Sequence, residues 1–135
     1  MRIIIVLGLA ALLQTTGVQA ADDPNIPKER KAVVQQAMTA FIDANQVDDH
    51  FVIYDAVEGK LLRLRLAELH AGVVKKGEFY VSCADFTDGA DNPVDVDFLV
   101  GGKGENLKVL EGVVHKVAGK KRPYHVEEMP TGSDD

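Results

Sequence analysis

Beyond residues 3–13 the chain has no long hydrophobic run, and it has one cysteine, Cys83, and no excess of positive charge. Each shortage excludes something. A lone cysteine forbids an intrachain disulfide, so an exported domain of this size must rest on its core. With 15 basic against 21 acidic side chains the net charge is −6, which repels nucleic acid and anionic lipid alike. The four histidines, His50, His70, His115 and His125, form no H-x-H or H-x3-H pair, the short spacings by which one element presents two metal ligands. There is no internal repeat, no low-complexity tract and no catalytic or cofactor motif, so no cofactor is assigned.

What is there begins with Arg2, the apolar run IIIVLGLAALL and the more polar QTTGVQA, with Val18 and Ala20 at positions −3 and −1 of a cut before Ala21. This three-part layout predicts a signal peptide over residues 1–20. The run is shorter than the roughly 20 residues needed to span a bilayer, and no cysteine follows the cut to carry a lipid. The expectation is a periplasmic or secreted bacterial protein with no membrane insertion after processing. Residues 21–135 then form a single domain, with its core over 28–122 and a frayed tail over 131–135.

The spacing of Val33, Val34, Ala37, Met38, Phe41 and Ile42 predicts one helix over Lys28–Ala44 with a single apolar stripe. Pro27 suits its first turn, and Asn25 or Asp23 is placed to cap it. Strands follow. His50–Tyr54 is a short one, and Leu62, Leu64 and Leu66 then alternate with Arg63 and Arg65 in the period of a half-buried strand. That alternation slips near Leu66–Ala67, which predicts a β-bulge or bend in a strand running on to Val74. Phe79–Phe86 is apolar on both faces and belongs mid-sheet. Val94, Val96, Phe98 and Val100 alternate with Asp95 and Asp97, which turns two carboxylates away from the helix. The last strand runs from Leu107 to about Val117, with a second bulge expected at Gly112. The predicted fold class is α+β: one N-terminal helix packed on a curled four- to five-stranded antiparallel sheet, a meander.

The blocks FVIYDAVEGK, LRLAELH, EFYVSCADF, VDVDFLV and VHKVAGKKR resemble a group of small exported bacterial proteins of unassigned function. The resemblance covers about residues 28–122 and implies a cystatin-like α+β shape. The inhibitory loop of cystatins has no counterpart, because the first hairpin carries Ala56-Val57-Glu58-Gly59 instead.

Candidate chemistry is sparse. Cys83 with His70 or His115 and Asp85 supplies the parts of a thiol nucleophile, its base and an orienting group, but a mid-strand cysteine among apolar residues reads better as a small buried side chain. Asp85, Asp88, Asp91, Asp95 and Asp97 are the densest set of oxygen ligands, yet Ala90 and Pro93 interrupt a calcium-loop pattern. Turn chemistry followed by a solvated strand face is the better account of them. The candidate metal ligands are Asp85, Asp95, Asp97, His70 and His115. His115, Lys116, Lys120, Lys121 and Arg122, with His125, make a basic end in an acidic chain, fit for a protein partner or a small anionic ligand. Arg63, Arg65, Asp95 and Asp97 mark the outer sheet face as another candidate surface.

The leading expectation is therefore a non-enzymatic periplasmic binding or interaction module whose partner the sequence does not name, with an edge strand available for homodimer pairing. The alternative is a small ligand- or metal-binding pocket protein, enzymatic or not, using His70, Asp85 and His115.

Overall fold

A computed structural model describes residues 21–127; the leader over 1–20 and the frayed tail over 131–135, both expected from the sequence, lie outside this range. Helix α1 spans Lys28–Ala44, as its apolar spacing predicts, and buries Val34, Ala37, Met38 and Ile42. Neither Asn25 nor Asp23 caps it. The Asp23 carboxylate instead accepts from the backbone and side-chain nitrogens of Asn25, forming a turn ahead of Pro27.

Among the described residues eight strands follow: β1 Gln46–Val47, β2 His50–Asp55, β3 Lys60–Leu69, β4 Val74–Lys76, β5 Phe79–Thr87, β6 Pro93–Lys103, β7 Asn106–Val117 and β8 Lys120–Lys121. They form one antiparallel sheet that is not closed, in the order β1-β2-β3-β5-β6-β7-β8, with β4 also on β5. Eight strands replace the four or five expected. The surplus comes from β1, β4 and β8, each two or three residues long, too short for a period of two to register.

The slip at Leu66–Ala67 is a register shift between Leu66 and Glu68 against β5. The predicted run to Val74 is broken, however. β3 pairs with β5 as far as Leu69–Ala84, β4 resumes at Val74–Val81, and the gap is bridged by the His70 amide donating to the Cys83 carbonyl at 3.0 Å. Gly112 is not itself a bulge. The shifts along β6 and β7 fall on either side of it, at Leu110 and His115, each the extra residue on β7. What Gly112 supplies is space: a Cβ there would lie 3.1 Å from Ile53 and 3.7 Å from Phe41.

The core between helix and sheet is built on phenylalanine. Phe51 stacks on Phe86 at 5.2 Å, and Phe41 meets both Phe51 and Phe98 edge-on at 6.0 Å. Val94, Val96, Val100 and Val114 complete it from β6 and β7. Alternation fixes the consequence: residues between these on β5 and β6 point to the other face. There Val81, Cys83 and Asp97 are buried as well, so that face is covered too.

Candidate functional site

The cover over the outer face is the segment after β8. The Arg122 amide donates to the His115 carbonyl at 2.6 Å, and the Val126 amide to Asp97 Oδ2 at 2.8 Å. Arg122 itself turns inward and grips Asp55 with two hydrogen bonds, both side chains nearly sealed from water. The chain thereby doubles back and lays His125 and Glu127 against the sheet.

Under this cover lies a polar cluster assembled by the sheet register. Cys83 faces Asp97 across β5 and β6, and Asp85 faces Asp95 two residues on. The bulge at His115 turns an imidazole into the same face. His115 Nδ1 lies 3.0 Å from Asp97 Oδ1 and His115 Nε2 lies 3.8 Å from Asp95. His125 stacks on His115 with ring centroids 4.1 Å apart, and its Nε2 is 3.9 Å from Asp97 Oδ1 and 3.7 Å from Glu127. The Cys83 thiol donates to Glu127 Oε1 at 2.7 Å.

Two atoms of this cluster stand out. Asp97 Oδ1 and His115 Nδ1 are buried and have no hydrogen-bond partner among the described residues. They lie 3.0 Å from each other, an ion-pair contact in which the Asp97 carboxylate favours a proton on His115. Orphaned buried polar atoms cost roughly 1–3 kcal/mol each, more when charged. Two of them side by side need a reason.

Protonation responds to the crowding. Burial works hardest on His115 and lowers its affinity for a proton, but Asp97 beside it, with Asp95 and Glu127, outweighs burial and raises its pKa above the usual value. Burial, then Glu127 and Asp97, push the Cys83 thiol far above its ordinary range, so Cys83 is a neutral thiol and not a nucleophile.

The predicted candidates divide accordingly. Asp97 and His115 come together, with Asp95 at the rim held by Lys116 at 3.5 Å. His70 and Asp85 form a neighbouring pair at 2.9 Å, with His70 Nδ1 buried and without a hydrogen-bond partner among the described residues. Of the basic end, Lys120 and Lys121 are exposed, whereas His115 and Arg122 are turned inward. Arg63 reaches Asp48 at 3.6 Å and Arg65 is exposed. Asp88 does turn work, accepting from the Ala90 and Asn92 amides at 2.9 Å each, and Asp91 holds a positive φ in the same turn. His125 enters the sequence reading only as one of four scattered histidines and as part of the basic end, and Glu127 not at all, because nothing in an aperiodic tail tells where it folds back.

Comparison of the chain with family models, with curated proteins and with solved structures finds no match. Among the described residues no helix is long and apolar enough to cross a membrane.

Proposed function

We propose that the protein binds a divalent transition-metal ion through Asp97, His115 and His125, as an exported metal-binding module. One carboxylate oxygen and one nitrogen from each histidine lie within 4.8 Å of one another. The observation that carries the reading is the orphaned pair, Asp97 Oδ1 and His115 Nδ1. Ligand atoms around a tetrahedral zinc, at bond lengths of about 2.0–2.2 Å, sit roughly 3.4 Å apart. The two gaps from Asp97 Oδ1, 3.0 and 3.9 Å, bracket that value; binding would also unstack His115 and His125, because near-parallel rings 4.1 Å apart cannot aim both in-plane lone pairs at one ion. Two imidazoles and one carboxylate suit zinc or a similar borderline ion over calcium, which asks for six or more oxygens. The Val126 amide on Asp97 Oδ2 supplies the outer hydrogen bond that orients a ligating carboxylate. Three protein ligands would leave room for a fourth, and Cys83 and Glu127 lie close to Asp97 in a group of their own.

Native mass spectrometry of residues 21–135, purified from the exporting host without chelator, tests this. One retained metal ion that is lost in His115→Ala supports the reading, and a bare chain that also takes up no added zinc overturns it.

A second reading, a protein-interaction module, has its own support. Tyr54 and Leu61 face each other directly on β2 and β3 and are 59% and 66% exposed, an apolar pair where solvent-facing polar residues are the rule. Co-purification with a partner that is lost in Leu61→Glu tests it. The cystatin-like resemblance rests on shape alone and carries no activity.

A further inference from the structure

The residues just after the predicted signal cut are not loose. The Asp23 amide donates to the Val73 carbonyl at 2.9 Å, the Val73 amide to the Asp22 carboxylate at 3.0 Å, and Lys31 holds that carboxylate at 2.6 Å. These bonds fit the segment into the break between β3 and β4. Gly72 makes the fit close, since a Cβ there would stand 2.4 Å from the Ala21 carbonyl oxygen. The segment ends with the nitrogen of Ala21 at 3.4 Å from Glu127 Oε2.

Of the three buried carboxylates, Asp55, Asp97 and Glu127, Glu127 has the most distant ion-pair nitrogen. Its side chain is 4% exposed. Its other oxygen takes the neutral Cys83 thiol, and its nearest ring nitrogen, on His125, is 3.7 Å away. A carboxylate so enclosed is costly unless a positive charge sits against it. The nitrogen beside it is a neutral amide while Ala20 is attached, and a cation once it is not.

We propose that removal of residues 1–20 creates the missing partner: the α-ammonium of Ala21 pairs with Glu127 and locks the C-terminal cover over the Cys83–Asp97 face. Water adds across the Ala20–Ala21 amide, its hydroxyl going to the Ala20 carbonyl carbon and its proton to the Ala21 nitrogen. The freed amine then takes a second proton from solvent, as an α-amino group with a pKa of about 7.7–8.0 does at neutral pH. Processing thus does more than release the protein. It completes an ion pair that ties the first residue of the mature chain to the segment carrying His125, and the unprocessed chain cannot form it. The inference rests on the proposed export and cleavage site, and it does not require the metal.

The test is a cycle of four proteins, all in chelator so that metal plays no part. Residues 21–135 beginning at Ala21 are compared with the same chain extended by Gly-Ser, each with Glu127 and with Glu127→Gln. The expected result is that the extension lowers the melting temperature by about 4 °C or more when Glu127 is present and by much less with Glu127→Gln. Equal melting of extended and native chains, or the same loss in both backgrounds, overturns the proposal. Should Glu127→Gln fail to fold, acylation of the α-amine by an activated ester decides: the native chain is expected to react severalfold more slowly than the Gly-Ser chain, and equal rates refute the pairing. N-terminal sequencing of the exported protein checks the cut separately. A start other than Ala21 removes the premise and with it the proposal.

Discussion

Cys83 and Asp97 stand directly opposite each other on β5 and β6, on the face of the sheet turned away from the helix, and both are buried there by the returning C-terminal segment. A sheet with a phenylalanine core on one side thus carries a largely buried polar cluster on the other. The cluster owes its position to register and to one bulge, and its seclusion to the residues after β8.

That seclusion has a direct chemical consequence for the thiol. Burial and the adjacent carboxylates hold Cys83 protonated, and only the thiolate attacks. In the native protein Cys83 is expected to resist iodoacetamide at neutral pH and to react promptly in denaturant, as followed by the mass of the adduct. Rapid labelling of the folded chain contradicts the geometry described.

The cover depends on Arg122. Its guanidinium meets Asp55, a carboxylate with no solvent exposure, in a two-bonded pair. Breaking a buried pair from one side leaves an uncompensated charge and typically costs about 3–5 kcal/mol. Arg122→Met is expected to lower stability by that order in urea denaturation, and Asp55→Leu with Arg122→Met to recover much of it. A loss under about 1 kcal/mol would mean the pair bears little of the fold's stability.

Acid sensitivity is expected at the β5–β6 turn. The Asn92 side chain, the Asn92 amide and then the Ala90 amide hold the Asp88 carboxylate below its ordinary pKa. A carboxylate favoured in its charged form by folding adds stability above its unfolded pKa of about 3.9, and that stability is lost as pH falls through the lower folded value. The melting-temperature gap between the native protein and Asp88→Asn is therefore expected to be present near neutrality and to narrow as pH falls below about 3.9. A gap that stays constant with pH would assign the turn's stability to shape and not to charge.

How much of this was legible depends on what each residue's neighbours reveal. The stripe from Val33 to Ile42 gave the helix, because one apolar face at helical spacing has few other uses. The slip at Leu66–Ala67 showed as a change of phase, and the alternation through Asp95 and Asp97 placed both carboxylates away from the helix. Counting back from the turn before Pro93 also pairs Cys83 with Asp97. His115 was harder, since a bulge shifts one residue between faces without altering composition. Glu127 and His125 were out of reach. They meet the sheet through contacts 44 and 29 residues distant in the chain, Cys83 with Glu127 and Asp97 with Val126, and no local pattern encodes such a return.

The measurement that bears most directly on the metal reading is a zinc titration of the chelator-stripped protein against a chromophoric competitor, run beside Asp97→Asn, His115→Ala and His125→Ala. The account predicts one zinc per chain and a loss of affinity of tenfold or more, about 1.4 kcal/mol, in each variant while circular dichroism shows the fold retained. Zinc binding that is absent from the native chain, or that all three variants keep unchanged, would contradict it.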